Sequence, residues 1–211
     1  MYEDEALEDG RVTQEDRRAA YYRSLTRATQ RLHRLVEDLL DFRRMESCAS
    51  EFRSTRLNAR EFTQQIAADF HREIEDRGFS LNVNPGPDVH LLADREALGR
   101  ALWNLLDNAV KYSGSARSIE FTVHHRERWV VWSVRDYGIG IPAAERSLVF
   151  NRFFRGKEAR RAGIRGTGIG LAMVERIAGA HGGHVKVSSA PTAGSEFTLE
   201  IPLEGAEWRA S

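Results

Sequence analysis

The chain has 211 residues, with 31 Lys+Arg against 31 Asp+Glu and a formal net charge of zero. That balance argues against nucleic acid or an anionic membrane as a general partner. Cys48 is the only cysteine, which excludes an intrachain disulfide. No run of ~18 apolar residues and no signal-like apolar segment is present, so the sequence shows no membrane span and points to a cytoplasmic protein.

Glu5–Gly10 reads as the end of a helix closed by Gly10. Thr13 is suited to cap a long helix over Gln14–Glu46. Leu25, Ala28, Leu32, Leu35, Leu39 and Phe42 recur at three- and four-residue steps, and Val36 and Leu40 widen that seam toward a helical-bundle face. Ser47–Arg56 is a polar linker. Asn58–Arg77 predicts an amphipathic helix, with Phe62, Ile66, Phe70 and Ile74 at four-residue intervals. Phe79–Val83 and Val89–Leu92 predict strands around the Pro85-Gly86-Pro87 turn. Asp94 is placed to cap a helix running to Lys111. Ser118–His124 and Trp129–Val134 predict a hairpin. Thr167–Ala180 predicts the last helix, and His184–Ser189 with Phe197–Ile201 complete a sheet. Helices and strands without regular βαβ alternation predict an α+β fold, a two-layer sandwich.

Four segments carry chemistry. In Asn104-Leu-Leu-Asp-Asn108-Ala-Val-Lys111-Tyr112, helical spacing puts Asn104, Asn108 and Lys111 on one face. Carboxamide oxygen is a hard ligand suited to Mg²⁺, and lysine is a point charge for phosphate. Asp136-Tyr137-Gly138-Ile139-Gly140-Ile141-Pro142 follows a strand. Its glycines let backbone approach a flat ligand, and Asp136 can accept from an exocyclic amine such as that of adenine. Phe150-Asn-Arg-Phe153-Phe154-Arg155 is an aromatic cluster expected to close a short helix and to plug the core. Gly166-Thr167-Gly168-Ile169-Gly170-Leu171 opens an apolar helix, where free N–H groups favour an anion. Lys157–Arg165 is rich in cations and poor in large apolar residues, so a lid that is mobile without ligand is expected.

In this order the segments resemble the N, G1, F and G2 boxes of the catalytic ATP-binding domain of sensor histidine kinases, within the wider superfamily of gyrase, mismatch-repair and heat-shock ATPases. The resemblance runs from Leu57 to Pro202. It implies a Bergerat-type fold, a mixed sheet covered on one face by helices, preceded by a dimerisation helix. It implies ATP and Mg²⁺, with Asn108 as metal ligand and Asn104, Asn108 and Lys111 at the centre of phosphoryl transfer. Tyr112 is then the residue flanking adenine, Asp136 its amine acceptor, and Gly138 and Gly140 the walls of that pocket. Arg155 reaches toward the phosphates. Gly166, Thr167, Gly168, Gly170 and Leu171 correspond to the stretch that seats the triphosphate and hinges the lid.

The N-terminal seam resembles the second helix of that family's dimerisation and phosphotransfer hairpin. The implied layout is a truncated helical region at 1–50, a linker at 51–56, the catalytic domain at 57–204 and a tail at 205–211. The family's phosphoacceptor is a histidine followed by an acid. None of the seven histidines here is so followed; His33 precedes Arg34. The expectation is a fragment that does not phosphorylate itself. Its partners would be a histidine-bearing dimerisation helix, a second copy in a homodimer and a response-regulator receiver domain. Two other classes share the superfamily. Water-activating ATPases usually have a glutamate where Asn104 stands, and a carboxamide cannot take a proton from water at pH 7. A trans-acting protein kinase of the anti-sigma type remains an alternative.

Overall fold

A computed structural model describes Tyr22, Thr29, residues 53–164 and residues 166–203. The chain divides into two compact units, Met1–Arg43 and Arg44–Ser211. In the first, Tyr22 and Thr29 are helical. The Leu25–Phe42 seam, the Thr13 cap, His33, Cys48, Arg165 and the C-terminal tail lie outside the described residues.

The second unit is built on a five-stranded sheet. The strands are β2 (Ser80–Asn84), β4 (Ser118–Arg126), β5 (Trp129–Asp136), β6 (His184–Ser189) and β7 (Ser195–Pro202). Their order is β2-β4-β5-β7-β6. β2 runs parallel to β4 and the other pairs are antiparallel, so the sheet is mixed. Alternate residues Ile119, Phe121 and Val123, then Val130, Trp132 and Val134, then Phe197, Leu199 and Ile201 enter the core. That is the two-residue period of a sheet buried on one face.

Three helices supply the other side of that core: α1 (Ala59–Ile74), α2 (Arg95–Tyr112) and α4 (Gly170–Ala180), the short α3 (Lys157–Arg161) lying between the last two in sequence. Asn58 caps α1 by accepting from the Glu61 N–H, and Asp94 caps α2 by accepting from the Ala97 N–H at 2.9 Å. Leu98, Leu102, Leu105 and Leu106 of α2 are fully buried. Each contributes about 1.5–3 kcal/mol, so α2 is anchored by packing and its opposite face is left for other work. Within the core, Trp132 Nε1 donates to Thr63 Oγ1, which donates to the Ala59 carbonyl, so neither buried polar group is orphaned.

Several expectations need correction. Thr55–Asn58 is a strand, β1, where a linker and a helix start were expected. It pairs with β3 (His90–Ala93) in a separate two-stranded sheet. The strands flanking Pro85-Gly86-Pro87 therefore belong to different sheets. α4 begins at Gly170 rather than Thr167, because Gly168 has φ +78°, outside the helical region. Ala143–Glu145 is a 3-10 turn, and residues 150–155 continue as turns rather than closing a helix. The cationic segment after Arg155, for which no particular element was expected, contains α3, and Ala159 within it is buried.

Candidate functional site

The C-terminal half of α2 lines up Asn104, Asn108, Lys111 and Tyr112, and each meets a different neighbour. Asn104 Nδ2 donates to the Arg100 carbonyl at 3.0 Å and lies 3.6 Å from Met173 Sδ. A Cβ placed on Gly170 would sit 2.8 Å from Asn104 Oδ1, so the first residue of α4 rests directly on this carboxamide. Asn108 is half-buried. Lys111 Nζ is paired with Asp107 one turn back on the same helix. Sequence reasoning assigned Lys111 to a ligand and overlooked this partner, although the i, i+4 spacing announces it.

Tyr112 joins three segments. Its carbonyl accepts from the Ile139 N–H at 3.2 Å, and a Cβ on Gly138 would fall 1.8 Å from that oxygen. Only glycine lets the loop after β5 come so close to the end of α2. The Tyr112 hydroxyl faces Gly166, 3.9 Å from where a Cβ there would stand. Burial pushes the phenol above its ordinary value, the Arg155 charge draws it down and Asp107 pushes it up.

Asp136, at the end of β5, is 3% exposed. Its Oδ1 accepts from the Gly138 N–H at 2.9 Å. Burial holds the carboxyl above the ordinary aspartate value, against the opposing pull of the Gly138 and Ser195 backbone bonds and of Arg135. The loop beyond it is clamped by the turn between β6 and β7. Thr192 N–H donates to the Ile139 carbonyl at 2.8 Å and Gly194 N–H to the Gly138 carbonyl at 3.2 Å. Ser189 Oγ accepts from the Ile141 N–H and donates to the Gly194 carbonyl. A Cβ on Gly140 would lie 1.9 Å from the Ala190 carbonyl oxygen, and one on Gly194 2.0 Å from that of Asp136. Ser189, Thr192, Gly194 and Ser195 thus hold Asp136 and the loop beyond it in place, a role that was not legible in the sequence. The available signal was a Gly-Ser pair opening a strand.

The aromatic segment divides. Phe150 packs edge-on against Phe197 and so does meet the core. Phe153 is 61% exposed, with φ +62°, and is no core plug. Its N–H donates to the Gly168 carbonyl at 2.8 Å, and a Cβ on Gly168 would strike the Phe153 backbone at 2.7 Å. The two segments are stitched backbone to backbone. Arg155 is half-buried; its Nη2 donates to the Ile164 carbonyl, while its buried Nε has no partner among the described residues. Thr167 is half-buried beside Gly168, and Leu171 packs against the core from the first turn of α4. No side chain caps α4, whose N-cap position is Ile169.

These contacts bring the end of α2, the loop after β5, the aromatic segment and the glycine-rich start of α4 around one place. A sequence model of the family described as histidine kinase-, DNA gyrase B-, and HSP90-like ATPase matches residues 93–205. The chain belongs to this family. Among relatives in the histidine kinase-, gyrase B- and HSP90-like family, it is 30% identical to the sensor histidine kinase WalK of Bacillus subtilis over 95% of this chain and 33% of WalK. It is 34% identical to the sensor protein CzcS of Cupriavidus metallidurans over 84% of this chain and 37% of CzcS. The chain therefore spans about a third of the length of these two curated relatives. Among solved structures, full-length ShkA in complex with AMPPNP superposes with a TM-score of 0.73 at 28% identity, covering 92% of this chain and 40% of ShkA. The catalytic domain of the histidine kinase ThkA gives 0.62 at 27% identity, covering 74% of this chain and 97% of that one. No helix among the described residues is long and apolar enough to cross a membrane.

Proposed function

We propose that this chain is the ATP-binding catalytic part of a two-component sensor histidine kinase, passing the γ-phosphate of ATP to a histidine on another helix. The observation that carries the reading is a half-buried hard donor on the C-terminal half of α2 and a buried acceptor beside the loop packed against the end of that helix. Asp136 presents a buried carboxylate, suited to an exocyclic amine. Asn108 presents a half-buried carboxamide that no hydrogen bond among the described residues engages. Gly138 and Gly140 give the flat ligand its close approach, and Tyr112 flanks it.

Among the described residues no group of three His, Cys, Asp or Glu side chains is poised to hold a metal. Mg²⁺ would be held by Asn108 and ligand oxygens, since Mg²⁺ takes few protein ligands when phosphates are present. Bound there, Mg²⁺ would neutralise developing charge on the phosphates. Arg155 carries an unpartnered buried N–H for the same end of the ligand, and Lys111 reaches it by exchanging Asp107. Gly166, Thr167, Gly168, Gly170 and Leu171 supply the uncapped helix start and its approach, where backbone N–H groups attract an anion. Asn104 orders that start rather than activating water. Its amide is occupied with Arg100, and a carboxamide is no base. Transfer to a side-chain nucleophile needs positioning and charge neutralisation, which these residues offer.

The same reading names a homodimer, a histidine-bearing dimerisation helix and a receiver domain as partners, no nucleic acid, and the cytoplasm as location. It keeps residues 1–50 as helical region, 57–204 as catalytic domain and 205–211 as tail, with Thr55 and Arg56 of the expected 51–56 linker taken into β1. The test is calorimetry of ADP with and without Mg²⁺. Asn108→Ala is expected to abolish the Mg²⁺-dependent gain while leaving Mg²⁺-free ADP binding within about twofold; an unchanged Mg²⁺ effect removes Asn108 from the role. Incubation with γ-labelled ATP and a histidine-bearing dimerisation domain should put acid-labile label on that domain.

A further inference from the structure

The face of α2 that carries Asn104, Asn108 and Lys111 also carries an acid. Asp107 lies three residues after Asn104 and four before Lys111, so it stands at the edge of that face. Its carboxylate pairs with Lys111 Nζ, and the two side chains are 34% and 37% exposed. Its charge reaches beyond that pair. Burial acts most on the Tyr112 phenol, but Arg155 draws the phenol down and Asp107 pushes it up. Asp107, Lys111 and Arg155 therefore form one local set of charges around the end of α2.

The fold itself does not call for an acid at this position. Aspartate is among the poorer helix formers, and nothing in the C-terminal half of a helix rewards a negative charge. A partly exposed pair with Lys111 returns little stability. The acid stands where the proposed reading brings phosphates, next in sequence to Asn108. A carboxylate there repels a phosphate chain and occupies the lysine that the chain would otherwise meet. Both effects grow with the negative charge of what arrives. A bound divalent cation cancels much of that charge. The penalty therefore falls chiefly on phosphates that come without a metal.

We propose that Asp107 is a specificity-determining residue: its charge, and its hold on Lys111, disfavour metal-free phosphate chains, so that the site selects the Mg²⁺ complex of its nucleotide. This rests on the nucleotide reading above. Asp107 acts here by repulsion and is not itself a metal ligand.

The experiment compares the full chain, Asp107→Asn and Glu96→Gln by calorimetry of ADP in Mg²⁺ and in EDTA, with adenosine as a ligand lacking phosphate. Asparagine keeps the shape of the side chain and removes its charge. Glu96 is an exposed acid on the same helix, so its substitution makes the same change in net charge away from the site. In EDTA, Asp107→Asn is expected to bind ADP about three- to tenfold more tightly than wild type. In Mg²⁺ the gain stays within about twofold, so the preference for the metal complex shrinks. The gain in EDTA fades at about 1 M salt, and adenosine affinity does not move. Glu96→Gln behaves as wild type throughout. A fall in Mg²⁺–ADP affinity in Asp107→Asn would overturn the proposal, since that is the pattern of a direct metal ligand. So would equal changes in Mg²⁺ and EDTA, or a change in adenosine binding, which a merely structural aspartate would give. Wild-type chain that binds neither ADP nor adenosine sinks the nucleotide reading, and this proposal with it. Wild-type preference for Mg²⁺–ADP that Asp107→Asn leaves intact sinks only the role of Asp107.

Discussion

The two ends of the candidate site are made differently. Around Asp136 nearly every polar group is already committed to the fold: backbone bonds tie Gly138 and Ile139 to the turn between β6 and β7 and Ile139 to the end of α2, the Asp136 carboxylate holds the Gly138 N–H, and the Ser189 hydroxyl holds the Ile141 N–H. Around Asn108 and Arg155 the committed partners are local and exchangeable. Lys111 holds Asp107 on its own helix, and Arg155 holds the Ile164 carbonyl nine residues along. One end is a prebuilt mould in which backbone meets backbone. The other is a set of half-exposed charges holding substitutes. On the proposed reading, a flat base repays a rigid mould, because its shape does not change during reaction. Phosphates that enter with a metal and leave transformed are better met by side chains that exchange partners.

Substitution at Gly138 should break the mould most severely. An alanine Cβ there meets backbone, not the end of a flexible chain, at 1.8 Å from the Tyr112 oxygen. Relief requires moving the end of α2 away from the loop. Gly138→Ala is expected to cost about 3 kcal/mol or more, lowering the melting temperature by roughly 6–12 °C. ADP binding should be lost along with it. A variant that melts with the wild type would show that the loop is not packed as described.

Asp136→Asn probes the same end through charge. Burial raises the Asp136 carboxyl, so the ionised form weakens the fold at neutral pH, and that cost fades as pH falls through the raised value. ADP binding runs the other way if the carboxylate accepts the amine. Affinity should then fall on acidification at a higher pH than an ordinary aspartate would impose. Asp136→Asn should bind ADP weakly at all pH values, flattening that profile, and should melt no lower than wild type at pH 7. Glu200, 4% exposed on β7, supplies an internal control. Burial pushes its carboxyl up, but the Lys186 hydrogen bond and the His184, Lys186 and Arg126 charges outweigh burial and leave it below the ordinary value. Its contribution to stability is therefore present near neutrality and lost as pH falls through that lowered value. Acid destabilisation should persist in Asp136→Asn while the acid loss of ADP affinity disappears.

The mould was the less legible end in the sequence, for a physical reason. Helices α1 and α2 could be read because their signals are local: Asn58 and Asp94 before apolar residues at helical spacing. β6 could be read with its bounds for the same reason. β1 could not, since Thr55–Asn58 shows no alternation and owes its strand geometry to β3, some 35 residues on. The turn clamping the Asp136 loop is likewise a contact between segments about 50 residues apart, and Ser189 bonding Ile141 leaves no local trace. Chemistry-bearing residues fared better than their partners. Asn104, Asn108 and Lys111 stand on one helix, as their spacing requires, but it is the folding of distant segments that puts Asn104 beneath Gly170 and leaves Phe153 exposed beside Gly168.

Gly166→Ala should have the smallest effect, and its smallness is what sharpens the contrast. Gly166 does not share the left-handed backbone of Gly163 or Gly168, and the nearest atom to an added Cβ is the Tyr112 hydroxyl at 3.9 Å. That is ordinary van der Waals contact, so alanine fits without moving backbone. The unfolded chain also loses freedom, which offsets part of any local cost. Melting should therefore change by less than about 2 °C, a fraction of the Gly138→Ala effect. Any effect on ligand should follow the phosphates and not the base. ADP affinity is expected to stay within about twofold, with ATP weakened by about threefold if the added methyl crowds the last phosphate. Gly163→Ala makes a useful companion. Nothing lies within 4 Å of its Cβ, but φ is +65°, so about 1 kcal/mol of backbone strain is expected without any ligand effect. A Gly166→Ala protein that unfolds like Gly138→Ala would erase the distinction between the two ends, because it would mean that the phosphate end is as tightly moulded as the base end.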